Sequence, residues 1–445
     1  MKKYFLAVAS FFIYSHISLG QVYPGQMDST FVPVRSHHYD PELTFDFCVN
    51  EPAWSNQAGI HSAFGSTDRL YFRKEVPVNH DNDLSSSYST TVWRGERANA
   101  QILVWSSEAL EQVRVSTQDL RSAEGNIIPK DRITFELVRY VLSNYPYAEK
   151  KAICGESPYK SGFLMPDRFE TLDRFDLPSQ TTRPVWMMVD VPRGTVPGTY
   201  KGQVEVRAKG KAPQLLNLEI VVQNQLLPYP KDWKYRLDLW QNPWAVAWYN
   251  HVEPWSPEHK MLLKQHLKHY ADAGGTYITT YGVHSPWSDN SYMIEGGMIE
   301  WIKKADGTWA FDYKIFDEYV ELAMECGIDE AITLYTPIPW GFRHRYKDEA
   351  TGDYSYINWA PSSEEFKKMW NIFLTDFKFH LEAKSWLDIT YIGINENPME
   401  ETLAAINVVR NHDKCWKITY AGNWHKELDG LLDDYSFLYG EEPTI

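Results

Sequence analysis

The spacing of apolar residues changes near position 230, and no other feature of the chain constrains its fold as strongly. Upstream, apolar side chains recur at every second position, as in Thr199-Tyr-Lys-Gly-Gln-Val-Glu-Val-Arg207, the pattern of a strand with one buried face. Gln101–Trp105, Val113–Ser116, Ile133–Tyr140, Val185–Val191, Thr199–Ala208 and Leu216–Val222 all read as short strands. Pro192-Arg-Gly194, Pro197-Gly198 and Lys209-Gly210 separate several of them as turns. A β-sandwich over residues 21–230 is the expectation, able either to bind carbohydrate or simply to brace a neighbour. Leu227-Pro-Tyr-Pro-Lys-Asp232 reads as the seam, because two prolines stiffen it and remove backbone donors.

Beyond the seam, strands and helices alternate. Strands are expected at Tyr235–Trp240, Thr276–Tyr281, Glu330–Tyr335, Ile389–Ile394, Trp416–Ala421 and Tyr435–Tyr439. Helices are expected at Ser256–Ala273, Tyr313–Cys326, Ser362–Leu381 and Pro398–Arg410. Ser256 before Pro257 is a start signal and Gly274-Gly275 a stop signal. The alternation predicts a parallel sheet, of (β/α)8-barrel type, over residues 231–445. About six strands are legible where a closed barrel uses eight, so the barrel is expected to be truncated. The fold class is therefore multidomain, β plus α/β: an N-terminal β-sandwich and an incomplete barrel.

Composition narrows the partners. With 44 basic and 59 acidic side chains the formal charge is −15, which repels phosphate backbones and argues against nucleic acid. The 18 Trp and 28 Tyr residues offer flat apolar faces suited to sugar rings, although many such side chains simply fill cores. Lys2 and Lys3, the apolar run to about Tyr14 and the small residues before Gln21 read as a signal peptide over 1–20. The expected product is exported, periplasmic or secreted, with no transmembrane anchor. Cys48 with Cys154 could form a disulfide in that compartment, while Cys326 and Cys415 are read as buried free thiols. His37-His38 reads as solvent-facing, and the scattered His284, His344 and His425 make no metal pattern. No glycine-rich phosphate loop precedes a helix, so no cofactor is implied. Glu364-Glu365 and Asp433-Asp434 read as solvated helix faces or termini.

In a parallel α/β unit the C-terminal strand ends carry the chemistry. Tyr391-Ile-Gly-Ile-Asn395-Glu396-Asn-Pro398 delivers a carboxylate there, at the fourth strand of the count. The other rim segments are Trp240–Trp244, Tyr281–Trp287, Tyr335–Trp340 and Tyr420–His425. They supply Trp240, Asn242, His284, Trp287, Tyr335, Trp340, Tyr420, Asn423 and His425 as candidate sugar contacts. Stacking faces interleaved with amides and imidazoles fit a saccharide cleft.

Leu237-Asp-Leu-Trp-Gln-Asn-Pro243, Val252-Glu-Pro-Trp-Ser256, Thr276-Tyr-Ile-Thr-Thr280, His284-Ser-Pro-Trp287, Trp301-Ile-Lys-Lys304, Phe311-Asp-Tyr313 and Asn395-Glu-Asn-Pro-Met-Glu400 resemble glycoside hydrolase family 123 from roughly residue 30 onward. The resemblance implies a retaining β-N-acetylgalactosaminidase acting on β-linked GalNAc glycans or glycolipids by substrate-assisted catalysis. The sugar's own 2-acetamido oxygen is then the nucleophile. It implies Glu396 as general acid and then base. It implies Asn395 at the place of an Asp that accepts the acetamide N–H and balances positive charge, and Asn397 where Arg is expected. An amide oxygen at Asn395 is expected still to accept that N–H. Its neutrality is expected to cost about 10²–10³ in rate.

Two other readings stay open on the residues. A two-carboxylate retaining β-glycosidase would use Glu396 as acid/base and need a nucleophile about 5–5.5 Å away, for which Glu441 and Glu442 are the late candidates. An inactive, degenerate glycan-binding fragment would follow from the substitution at 395 together with the early end of the barrel.

Overall fold

The structure, a computed structural model, describes residues 51–77, 84–143, 163–287 and 296–437. The signal segment, His37-His38, Cys48, Cys154, Glu441 and Glu442 lie outside the described residues. The chain divides into two compact units that meet between Pro228 and Tyr229.

In the first unit, one sheet runs in the order His61–Gly65, Arg97–Ser106, Thr181–Asp190, Ile133–Ser143, Phe163–Glu170, antiparallel throughout. The second runs Ser87–Arg94, Gln214–Leu226, Gly198–Arg207, Leu110–Thr117, Phe175–Leu177, with its first pair parallel and the rest antiparallel. Alternation does its expected work in Gly198–Arg207, where Tyr200, Val204 and Val206 are buried and Lys201, Gln203 and Arg207 face water. Ile102, Val104, Val185 and Met187 of one sheet share a core with Val204, Val206, Leu218 and Ile220 of the other. That shared core is what lets two half-apolar sheets bury their inner faces.

The second unit is built on a parallel sheet ordered Tyr277–Tyr281, Ala331–Tyr335, Thr390–Ile394, Lys417–Ala421, Asp434–Ser436. The first two strands are buried at every position, as parallel strands covered on both faces must be. Helices Lys314–Glu325, Glu364–Lys384 and Met399–His412 connect successive strands. Ser256 and Ser363 cap their helices, each hydroxyl accepting from the backbone N–H three residues on, at His259 and Phe366. Phe366, Met369, Trp370, Phe373, Phe377 and Leu381 form the buried stripe of the longest helix at the spacing an amphipathic helix requires. The multidomain β plus α/β expectation holds.

Several expectations need correction. Tyr235–Trp240 is not a strand: it makes a single bridge, Leu237 to Gly275. Side chains take over the backbone pairing. The Tyr270 hydroxyl donates to the Leu237 carbonyl at 2.7 Å and accepts from the Leu239 N–H at 3.2 Å. The Gln241 amide meanwhile accepts from the Thr279 N–H at 2.8 Å. Among the described residues the parallel sheet therefore has five strands with this bridged segment beside it. Asp433-Asp434 is not a helix terminus. Asp433 accepts from Arg410 and from the Ile418 N–H, and Asp434 opens a strand beside Arg236. Cys415 is exposed, because it stands in the turn between helix and strand where its N–H bonds to Asp413. Cys326 is buried and free.

Two hairpins escaped the sequence reading. Glu300–Lys303 with Trp309–Asp312 follows the strand Tyr277–Tyr281, and Arg343–Asp348 with Tyr354–Asn358 follows Ala331–Tyr335. They join through Ile302 and Lys347 into a four-stranded sheet on the rim.

Two measurements test this packing. A Cβ on Gly393 would lie 2.9 Å from the Tyr335 ring and 3.0 Å from Thr333 Cγ2, so Gly393→Ala is expected to destabilise the protein by roughly 1–3 kcal/mol. A shift in denaturant midpoint equivalent to less than about 0.5 kcal/mol would refute that crowding. Burial, then the charge of Asp434, raises the Asp238 carboxyl to about 6, above the ~3.9 of an unfolded chain. Between those values the folded state keeps a proton that the unfolded state releases, so stability should fall as pH rises from about 4 and level off above about 6. Asp238→Asn should flatten that part of the stability profile, and an unchanged profile would exclude Asp238 as its source.

Candidate active site

Strand Thr390–Ile394 sorts its side chains by parity. Ile392 and Ile394 are fully buried in the apolar core shared with the helices, while Gly393 and Asn395 share the opposite face. On that face the missing side chain of Gly393 admits the Tyr335 ring. Asn395 follows at the strand's C-terminal end with 1% of its surface exposed. Its Oδ1 accepts from the Thr336 hydroxyl at 3.3 Å and from Asn397 Nδ2 at 3.0 Å. Asn397 Nδ2 also donates to the Ile338 carbonyl at 3.0 Å. Asn395 Nδ2 is buried without a partner. Both lone pairs of the Asn395 oxygen, the expected acceptor for a ligand N–H, are engaged inside the protein.

Glu396 comes next and is exposed. Asn423 Nδ2 donates to its Oε1 at 3.0 Å, and the turn carrying Asn423 is held by Tyr435. That phenol donates to the Asn423 carbonyl at 2.8 Å and accepts from the His425 N–H at 2.7 Å. Tyr420 is fully buried beneath this turn, its ring edge-on to His425 and Tyr435. Burial, then the nearby charge of Glu396, pushes the Tyr420 hydroxyl up to about 12, so it stays protonated beside the carboxylate. After Asn397, Pro398 begins the helix Met399–His412, whose first turn carries Glu400 and Glu401.

Three of the aromatic candidates cluster, Trp240 stacked on Trp287 and Tyr335 tilted against both. Trp240 lies 5.0 Å from Trp287 and 4.9 Å from Tyr335, centroid to centroid, and Trp287 lies 5.3 Å from Tyr335. Trp240 is 43% exposed, whereas Trp287 and Tyr335 are buried. Only the outer indole is open to solvent, backed by the other two rings. The Trp340 N–H donates to the Pro286 carbonyl at 2.8 Å, tying two rim segments together. His284 is buried, and burial, followed by the charges of Arg345 and Arg343, pushes its imidazole down to about 3. It is neutral at physiological pH. Asn242 is spent locally, its Oδ1 capping the helix Pro243–Asn250 through the Ala245 N–H. That short helix, like Thr336 and Asn397 as partners of Asn395, went unread in the sequence. The Asn-Pro pair at 242–243, a cap residue before an N-terminal proline, was the signal for the helix.

The structure thus gathers Tyr335, Trp287 and Trp240, places Asn395 two residues beyond the Gly393 that meets Tyr335, and joins Glu396 to Asn423. An exposed carboxylate held by an amide at the C-terminal end of a parallel strand is an arrangement that can serve acid catalysis on a neutral polyhydroxylated ligand.

Comparison with known proteins agrees. Residues 240–445 match the family model "Glycoside hydrolase 123, catalytic domain" and residues 64–208 the model "Glycoside hydrolase 123 N-terminal domain". No curated protein matches the chain. Among solved structures, a family 123 glycoside hydrolase from Clostridium perfringens, described for glycolipid glycan hydrolysis, aligns at TM-score 0.74 and 25% identity. The alignment covers 85% of this chain and 67% of that one. A PapD-like domain of human CEP192 aligns at TM-score 0.20 and 12% identity, over 42% of this chain and 99% of that one. The macrocyclization catalyst AvmM aligns at 0.21 and 8%, over 38% and 93%. Scores that low bear on nothing here. The two family models match in chain order, one in each compact unit, and the chain belongs to glycoside hydrolase family 123.

Proposed function

We propose that the protein is an exported β-N-acetylgalactosaminidase that works by substrate-assisted, retaining hydrolysis at Glu396. The observation carrying this reading is the Glu396–Asn423 hydrogen bond of 3.0 Å at the C-terminal rim of the parallel sheet, which fixes a solvent-accessible carboxyl group in one direction. In the first step the 2-acetamido oxygen of the bound sugar attacks the anomeric carbon. The glycosidic bond breaks, and the Glu396 proton passes to the departing oxygen. In the second step water adds to the anomeric carbon of the oxazolinium ring, returning its proton to Glu396 and reopening the acetamide. Two displacements preserve the β configuration. The open face of Trp240 would take the apolar side of the sugar, with Trp287 and Tyr335 as its backing.

The glycolipid glycan hydrolysis described for the Clostridium perfringens relative supports glycolipids or glycans as the substrate class, with β-linked GalNAc as the sugar that the family resemblance implies. The parallel strands and the bridged Leu237 segment belong, in this reading, to a (β/α)8-type barrel with a β-sandwich ahead of it. The signal segment 1–20 would deliver the protein to the periplasm or the medium. No helix among the described residues is long and apolar enough to cross a membrane. A second reading, glycan binding without turnover, is favoured by one observation: the neutral amide at 395 has its oxygen engaged internally.

Release of nitrophenol from an aryl β-N-acetylgalactosaminide tests the proposal. Turnover is expected on that substrate and not on the aryl β-galactoside. It should fall about 10²–10⁴-fold in Glu396→Gln and rise about 10²–10³-fold in Asn395→Asp as the missing charge is restored. Equal turnover of the galactoside would replace the substrate-assisted mechanism with a two-carboxylate one. Sugar binding without turnover in either the wild type or Asn395→Asp would establish the second reading.

A further inference from the structure

The heavy atoms of an amide do not by themselves distinguish its oxygen from its nitrogen; its neighbours do. At Asn395 they leave one arrangement. Asn397 sits between two partners, the Ile338 carbonyl and the inner end of the Asn395 amide, each 3.0 Å from its Nδ2. A backbone carbonyl can only accept, so the nitrogen of Asn397 must face it. That nitrogen's second proton then requires an acceptor, and the inner end of Asn395 must be oxygen. Turning Asn395 alone would set two NH₂ groups against each other. Turning both amides would press the Asn397 oxygen against the Ile338 carbonyl. The Thr336 hydroxyl, 3.3 Å away, imposes nothing, because a hydroxyl can donate or accept.

The outer end of Asn395 is consequently an NH₂ group, and it is the end left without a partner in a side chain 1% exposed. A buried donor without an acceptor is costly, and in native structures such groups stand where a ligand or water completes them. Parity places it on the strand face occupied by Tyr335, whose ring packs at a tilt against Trp287 and Trp240.

We infer that Asn397 locks Asn395 as a hydrogen-bond donor to the ligand, so that this site selects an acceptor oxygen at the sugar position it touches and rejects an N–H there. Asn397 is a positioning residue, acting through the orientation of its neighbour. The inference rests on the proposal that the rim binds a 2-acetamido sugar. It adds that the acetamide N–H of such a sugar meets a like donor. Removing the lock should free Asn395 to turn its oxygen outward, since Thr336 can accept from the inward nitrogen. Loss of a buried hydrogen-bonding side chain is thereby expected to strengthen the binding of one particular ligand.

The test combines a ligand-free measurement with a binding series. Neutron diffraction from unliganded crystals locates the amide deuterons of Asn395. The Kd values of N-acetylgalactosamine and of galactose are then measured for the wild type, Asn397→Ala and Asn395→Asp. The 2-hydroxyl of galactose donates or accepts equally well, so it does not sense which way a neutral amide at residue 395 is turned. In Asn395→Asp both Thr336 and Asn397 can still donate inward while an oxygen faces the ligand, which separates polarity from any loosening of the turn. Expected are deuterons on the outer atom in the wild type, N-acetylgalactosamine bound roughly tenfold more tightly by both variants, and galactose unchanged within about twofold in the neutral Asn397→Ala variant. Deuterons on the inner atom, or tighter binding in Asn395→Asp with none in Asn397→Ala, would overturn the lock. If both variants gain affinity but none hydrolyses the aryl glycoside, the lock stands and the hydrolase proposal falls. If no form binds either sugar, the sugar-site reading falls and the ligand selectivity inferred here falls with it, whatever the deuteron positions.

Discussion

The rim chemistry depends on the absence of one methyl group. With no Cβ at Gly393, the Tyr335 ring can lie across the strand that ends in Asn395 and Glu396. Tyr335 in turn supports Trp287, and both support the half-exposed Trp240. Close packing inside a protein leaves little room for adjustment, so the height of this stack and the position of the two polar residues above Gly393 are set together. The core beneath is apolar and fully buried at Ile392 and Ile394. Shape, rather than any single strong bond, gives the rim its arrangement.

Electrostatics then divides the polar groups of the second unit by burial. His284 is held neutral by desolvation and by two arginines on the rim hairpin, which suits it to hydrogen bonding rather than to carrying charge. Buried His344 is likewise pushed down, to about 4, and its Nε2 lies 3.3 Å from the donating Trp370 indole. Tyr420 is kept protonated by burial and by the Glu396 charge. Glu396 itself remains in solvent with Asn423 as its partner. A carboxylate that exchanges protons with water and with a leaving group needs that access, while the groups around it are better left unionised. The division follows from which residues the rim turns lift out of the core.

Much of the fold was legible because local rules and global packing agree along most of the chain. The alternation of Tyr200, Val204 and Val206 announced a half-buried strand, and Ser256-Pro257 and Gly274-Gly275 announced the ends of a helix. Elsewhere local pattern and tertiary outcome part. Tyr235–Trp240 has the composition of a strand, yet the hydroxyl of distant Tyr270 bonds its Leu237 carbonyl and Leu239 N–H, and the neighbouring Gln241 side chain takes the Thr279 N–H. The rim hairpins went unseen because their strands are only four to six residues long, and Trp301 of the first packs against Phe373 and Trp370 of the long helix. Of the site, Glu396 and Asn395 could be named from a strand running into a proline-started helix. Their partners Asn423, Thr336 and Asn397 have no comparable signature, since the first two reach them across 27 and 59 residues of chain.

The order of elements, the change from sheet to alternating strand and helix, and the carboxylate at a strand end follow from residue spacing alone, because burial enforces periods of two and 3.6 on any chain that folds. Family membership could be read from the same string. The sense of the amide at 395 could not. Asn is both donor and acceptor, and which of the two it offers is decided by a backbone carbonyl at Ile338 acting through Asn397. That carbonyl is common to every residue type and leaves no trace in sequence, so only the folded arrangement determines what the site can bind.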